Sequence, residues 1–185
     1  MEPSDAPPQE QGSKSRLSVG LAAGAVSVLV LALLGYALSV TPTLPPQLGS
    51  PVPDFQLTAM DGRPLNLSEL QGKVIILNFF ASWCNPCRQE ATDLQQTWQH
   101  YQDREVQFLG VAYKDAASKA QTFLDEFDVT YPFTPDPGNR TARAYGVTGV
   151  PETFVIDQAG HLVHHFVGPV TQGELSLELD RLLEP

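Results

Sequence analysis

Both cysteines of this 185-residue chain fall in one short stretch, FFASWCNPCRQE, running from Phe79 to Glu90. Cys84 and Cys87 are separated by Asn85 and Pro86. Two thiols at that spacing can staple the chain, hold half of a metal site, or exchange electrons with another disulfide. A staple would close a loop of about four residues, for which loop entropy returns only roughly 2 kcal/mol. A zinc site needs about four ligands. There is no second C-x-x-C, and His161, His164 and His165 would have to complete the set. Those histidines lie in an alternating run, where a solvent-facing place is the common outcome. The third reading, a redox centre, is the one that a lone C-x-x-C in a βαβ setting favours.

The neighbouring elements determine how such a pair is presented. Lys73 to Phe80, KVIILNFF, is a continuous apolar and β-branched run, which predicts a strand covered on both faces. From Cys84 to about Tyr101 the pattern becomes helical, with Ala91, Leu94 and Trp98 on one stripe. Cys84 therefore falls at a helix N-terminus, where free N–H groups and the helix dipole stabilise an anion. The thiolate is the nucleophile of disulfide exchange, so this position raises the reactivity of Cys84. Cys87 follows one turn later and can reach back to close a disulfide, and Pro86 suits a first helical turn.

Around this unit the pattern gives an N-terminal hairpin, Phe55–Leu57 and Pro64–Leu67, turning at Asp61-Gly62. Ser68 to Leu70 reads as a short helical turn. Val106–Ala112 reads as a second buried strand and Ser118–Phe127 as a helix with Ala120, Phe123, Leu124 and Phe127 inward. A short helix at Arg140–Tyr145 ends at Gly146. Thr153–Asp157 and His161–Phe166 pair through a tight turn at Gln158-Ala159-Gly160. Thr171-Gln172-Gly173-Glu174 starts a last helix with a capping box, and that helix runs to about Leu183. The alternating part predicts parallel strands with right-handed crossovers, and the final hairpin adds an antiparallel edge. The fold class is thus α/β, a mixed central sheet with helices on both faces.

The formal net charge of −10 argues against a nucleic-acid partner, for which a basic footprint is expected. It argues equally against docking on anionic lipid through a basic face. The N-terminal segment carries a different signal. Residues 1–16 form a polar tail, and Leu17 to Val40 follow without a single charged residue. As a helix those residues would span roughly 36 Å, against a hydrocarbon core of about 30 Å. Ala37-Leu38-Ser39 resembles a signal-peptidase site, but the apolar run is longer than a signal h-region, which favours an uncleaved anchor. Lys14 and Arg16 precede the run and no Lys or Arg follows until Arg63, which places the N-terminus in the cytoplasm and the rest outside. Either reading exports the domain to where disulfides persist. Residues 41–53, rich in proline, are expected to be a linker, and residues 54–185 the folded domain.

Trp83-Cys84-Asn85-Pro86-Cys87 resembles the active site of thioredoxin-fold proteins, and GVTGVPETFVIDQAGHLVHHFVG, Gly146 to Gly168, resembles the part of that fold facing it. The resemblance covers about Pro51 to Pro185, with the N-terminal hairpin as an extension. A single anchor, Glu90 three residues after Cys87, and Gly149-Val150-Pro151-Glu152-Thr153-Phe154 together resemble the cytochrome c maturation thioredoxins, the ResA/CcmG/TlpA group. That resemblance implies an enzyme, a thiol–disulfide oxidoreductase acting mainly as a reductant. Its only redox group would be the Cys84–Cys87 disulfide, with no further cofactor and no metal. Cys84 would be the exposed attacking thiol, Cys87 the buried resolving thiol, and Pro151 a cis proline beside them. Val150 would offer backbone groups to a bound peptide, and Trp83 would be a lid beside the disulfide or a part of the core. Thioredoxin carries an Asp early in its central strand. The matching strand here, Val74 to Phe80, has no acid, so Glu90 or Glu152 would substitute in proton transfer.

The partners implied are apocytochrome c, through its C-x-x-C-H disulfide, or another disulfide-containing exported protein. A membrane thiol carrier would be the electron donor, and the location would be the extracytoplasmic side of a bacterial cytoplasmic membrane. A general extracytoplasmic disulfide reductase or oxidant is the alternative. A copper-delivery or metal-binding module using Cys84, Cys87 and a histidine is another, since soft thiolates select Cu(I). A peroxiredoxin would need a lone peroxidatic cysteine, which WCNPC does not provide.

Overall fold

The computed structural model describes residues 27–35, 45–60 and 62–184. Residues 1–42 and 43–185 form separate compact units. In the first, residues 27–35 are helical and exposed throughout. Among the described residues no helix is long and apolar enough to cross a membrane. The polar tail 1–16, most of the expected anchor over 17–40, residues 41–44 and the turn residue Asp61 lie outside the described residues.

The second unit is built on β3, Val74–Phe80, all seven of whose residues are buried. It pairs parallel with β4, Val106–Ala112, and antiparallel with β6, Glu152–Ile156. β7, Leu162–Val167, extends the sheet antiparallel beside β6. With Phe133–Pro135 as β5 at the far edge beside β4, the five-strand order is β5-β4-β3-β6-β7. Strand β5, Phe133–Pro135, is an element the sequence pattern did not suggest. It is three residues long, with Pro132 and Pro135 at its ends, and proline is tolerated there because the strand is an edge. The N-terminal hairpin, β1 Gln56–Thr58 and β2 Pro64–Asn66, forms its own two-stranded sheet.

Alternation along β3 separates two apolar layers. Val74 and Ile76 face helix α1, Asn85–Tyr101, and helix α4, Gln172–Leu183, through Leu94, Tyr101, Leu175 and Leu179. Ile75, Leu77 and Phe79 face the hairpin and helix α3, Arg140–Ala144, through Leu57, Leu65, Ala142 and Tyr145. Helix α2, Ala117–Glu126, closes a third cluster in which Phe123 stacks on Phe80. The expected capping box at Thr171 and Glu174 is present in both directions.

The expected linker over 41–53 is corrected at its C-terminal end. The Gly49 N–H donates to the Leu162 carbonyl at 2.7 Å, Leu162 returns a bond to Ser50 at 3.0 Å, and Val52 donates to Gly160 at 3.0 Å. Val52 itself is buried in the core. Further back, Gly146 has φ of +72°, and a Cβ there would come within 2.6 Å of Pro45. Gln47 to Ser50 turn back on themselves and Pro51 bridges His161 beside the start of β7, a packing that proline-rich composition alone reads as a spacer. A chain starting at Asp54 loses the Val52 contact and those backbone bonds, together about 2 kcal/mol. It is expected to melt roughly 5–10 °C below one starting at Pro45. Equal melting temperatures by calorimetry would return residues 49–53 to the role of spacer.

Candidate active site

Cys84 is the N-cap of α1. Its backbone is extended, and its sulfur accepts the Cys87 N–H at 3.1 Å, the bond that Ser or Asp commonly makes at this position. Pro86 occupies the first helical turn, where it withdraws no needed donor. Cys84 and Cys87 are joined as a disulfide. Both are buried, at 3% and 1% exposed, within a cluster containing Phe80, Ala81, Ala91 and Ala112. The expectation of an exposed Cys84 is thereby corrected: the tight turn from Ala81, where Cys84 N–H meets the Ala81 carbonyl at 3.1 Å, folds the cap residue inward.

The loop before β6 supplies the other wall. The Val150–Pro151 peptide is cis, and the Val150 carbonyl oxygen lies 3.4 Å from the Cys84 sulfur. Oxidised, that sulfur has no proton to donate; reduced, its S–H would face this oxygen. Trp83 is 58% exposed, which rules out the core-packing reading. Its indole N–H donates to the Lys114 carbonyl at 3.3 Å, tying it to the loop after β4. The same loop holds the approach to the cysteines through Asp115, whose carboxylate accepts the Ser82 N–H at 2.6 Å.

Glu90 and Glu152 fall on opposite faces of the sheet. Glu90, one turn after Cys87, is 2% exposed. One oxygen accepts from Asn78 Nδ2 at 2.8 Å, and the other accepts the Val170 N–H at 3.0 Å. Asn78 also donates to Thr153 at 2.9 Å, so β3, β6, α1 and the start of α4 meet at this carboxylate. Burial pushes Glu90 up from 4.5 to about 7, against the opposing pull of its hydrogen bonds from Val170 and Asn78. Burial, with the Glu90 charge nearby, pushes the Tyr131 phenol up as well.

Glu152 shares a face with Phe154, away from α1. It is 4% exposed, and it accepts the Thr148 and Gly149 N–H groups at 3.1 and 3.3 Å. Its second oxygen lies 2.8 Å from His165 Nε2. Glu152 thus reaches the cysteines only through the loop 148–150. The solvent-facing reading holds for His161 and His164, whose side chains are 41% and 40% exposed beside Asp157 and Glu178, and is corrected for His165, which turns onto the buried Glu152. Among the described residues no group of three or more His, Cys, Asp or Glu side chains could hold a metal ion.

The site therefore gathers Cys84, Cys87, Val150, Pro151 and the flanking Trp83, with Glu90 beneath them and Glu152 behind the loop. Sequence reasoning missed Asn78, Thr153 and Asp115, and weighed His165 only as a metal ligand. Asn78 left a readable sign, since it is the one polar residue inside VIILNFF.

The model of the family described as Redoxin matches residues 47–182. The chain belongs to the Redoxin family. It is 31% identical over 160 residues to the thiol-disulfide oxidoreductase ResA of Geobacillus thermodenitrificans, covering 85% of this chain and 92% of that protein. It is 41% identical over 113 residues to the thiol:disulfide interchange protein HelX of Rhodobacter capsulatus, covering 60% and 62%. Among solved structures, a thiol:disulfide interchange protein of the thioredoxin family from Chlorobium tepidum superposes with a TM-score of 0.66 at 30% identity. That match covers 73% of this chain and 97% of the other. This redoxin is a thiol–disulfide oxidoreductase with a thioredoxin-like α/β fold, and Cys84 and Cys87 are the pair it has for that chemistry.

Proposed function

We propose that this redoxin is a membrane-tethered reductant on the extracytoplasmic side of a bacterial cytoplasmic membrane, and that its client is the C-x-x-C-H disulfide of apocytochrome c. The uncharged run from Leu17 to Val40, flanked by Lys14 and Arg16 on its N-terminal side and by no Lys or Arg until Arg63 on the other, supports the tether and the orientation. The client class rests on the likeness to the ResA and HelX proteins and on the resemblance to the cytochrome c maturation thioredoxins.

The observation that carries the exchange chemistry is the Cys84–Cys87 pair at the start of α1, with the Val150 carbonyl 3.4 Å from the Cys84 sulfur. The reductant direction rests on the resemblance, and the buried Glu90 carboxyl, one helical turn from Cys87, is the proton acceptor for the resolving step. In the reduced protein the Cys84 thiolate attacks one client sulfur. A Cys84–client disulfide forms, the client S–S bond breaks, and the second client sulfur leaves as a thiolate and takes up a proton. Cys87 then gives its proton to Glu90 and attacks the Cys84 sulfur. The first client sulfur is released as a thiolate and is protonated in turn. Two electrons pass from the dithiol to the client, leaving the Cys84–Cys87 disulfide. A thiol carrier in the membrane would restore the dithiol by the reverse exchange. Trp83 and the Val150 carbonyl flank the sulfur that meets the client.

Replacing Cys87→Ala removes the resolving thiol and should leave the client bound to Cys84. Expressed as the full-length chain in its own cells, this variant should yield mixed disulfides in the membrane fraction with proteins carrying C-x-x-C-H, identified by mass spectrometry. Adducts solely with other exported proteins would leave the exchange chemistry intact and overturn the cytochrome client.

A further inference from the structure

The mechanism above has no part for His165, one of the two histidines on β7. His165 is the cross-strand neighbour of Phe154, and its ring stacks on that phenyl with centroids 4.0 Å apart and planes 14° from parallel. The stack fixes the ring plane so that Nε2 meets the Glu152 carboxylate at 2.8 Å. The other Glu152 oxygen gathers the N–H groups of Thr148 and Gly149. Those two residues run directly into Val150, whose carbonyl stands 3.4 Å from the Cys84 sulfur. Each step from His165 to Val150 is a hydrogen bond or a chain neighbour, and the last, to the Cys84 sulfur, is a 3.4 Å contact. A carboxylate as buried as Glu152 needs both oxygens satisfied, and His165 supplies the partner the loop cannot.

We propose that His165 is a positioning residue for thiol–disulfide exchange, locking the loop 148–150 through Glu152 at the place where a disulfide-bearing segment meets Cys84. The proposal rests on the exchange chemistry of Cys84 and not on the identity of the client, so a model peptide disulfide tests it.

Two variants separate the ring from its hydrogen bond. His165→Phe keeps a ring to stack on Phe154 and loses the donor. His165→Gln places an amide N–H about where Nε2 stands and loses the stack. With the reduced full-length chain and a model peptide disulfide, His165→Phe is expected to lower kcat/KM about tenfold, chiefly through KM. His165→Gln should return to within about threefold of the parent, as expected for one charge-assisted hydrogen bond. Because His165 acts through Glu152, adding His165→Phe to Glu152→Gln should cost little beyond Glu152→Gln alone. Three results would overturn the proposal: parental exchange by His165→Phe even with a lowered melting temperature, a Gln variant as slow as the Phe variant, or fully multiplicative effects in the double variant.

Discussion

Cys84→Ser is expected to abolish turnover outright, whereas Cys87→Ser should abolish turnover and keep the first attack. A hydroxyl forms no disulfide, so neither variant can complete a cycle, and the loss should exceed about 10³-fold in both. The variants differ in what they retain. Cys84 is the cap of α1, and the Cys87 N–H at 3.1 Å is aimed at its sulfur. A negative charge on Cys84 therefore gains a backbone donor and the positive end of a helix dipole. Cys87 lies within the first turns of the helix, at 1% exposed, and has no such cap. Mixed with a model disulfide, Cys87→Ser should form a one-to-one adduct on Cys84 at a rate near that of the parent's first step. Cys84→Ser should form an adduct on Cys87 at least about 10²-fold more slowly. Mass mapping of the adducts decides the matter. Comparable rates for the two would mean that the helix cap does not set the order of attack.

Much of this site was legible because its parts are local in sequence. A seven-residue apolar run followed by WCNPC sets a buried strand, a turn and a helix in fixed succession, and that succession alone brings Cys84 to a helix start. The capping box at Thr171 is equally local, and it appears as expected. What escaped depends on register between distant strands. Glu90 and Glu152 both looked like partners of the cysteines, since each is close to one of the two motifs in sequence. Only the pairing of Phe79 with Glu152 and of Asn78 with Thr153 puts the two acids on opposite faces. Asn78 was hidden inside an apolar run whose overall character it does not change, yet it joins Glu90, 12 residues on, to Thr153, 75 residues on. The edge strand Phe133–Pro135 and the stretch 49–53 escaped for a common reason. Proline marks both, and proline reads as a loop unless a sheet edge is already known to run beside it.

Glu90→Gln is expected to make the oxidised protein more stable above neutral pH while slowing the release of client. The sign follows from burial. Glu90 titrates at about 7 in the folded chain and near 4.5 when unfolded, so between these values the folded state holds a proton that the unfolded state has lost. Its stabilising contribution is full below pH 4.5 and is lost as pH rises to about 7. At about 1.4 kcal/mol per pH unit, the loss amounts to about 3 kcal/mol. Glutamine has no proton to lose and escapes it. Its amide must meet Asn78 and the Val170 N–H, both donors to the carboxylate, so Asn78 has to turn its oxygen toward the new N–H, and part of the gain is forfeited. Urea unfolding of the oxidised chain should therefore show a variant less stable by about 1 kcal/mol at pH 4.5 and more stable by about 2 kcal/mol at pH 8. The catalytic effect runs the other way. Without a proton acceptor one turn from Cys87, resolution of the Cys84 mixed disulfide should slow by about 10²-fold near pH 7, the ordinary contribution of a general base. The first attack, measured as formation of the adduct in the Cys87→Ala background, should be little changed. A variant with parental stability at both pH values and parental resolution would show that Glu90 is a structural junction of four elements and takes no proton from Cys87.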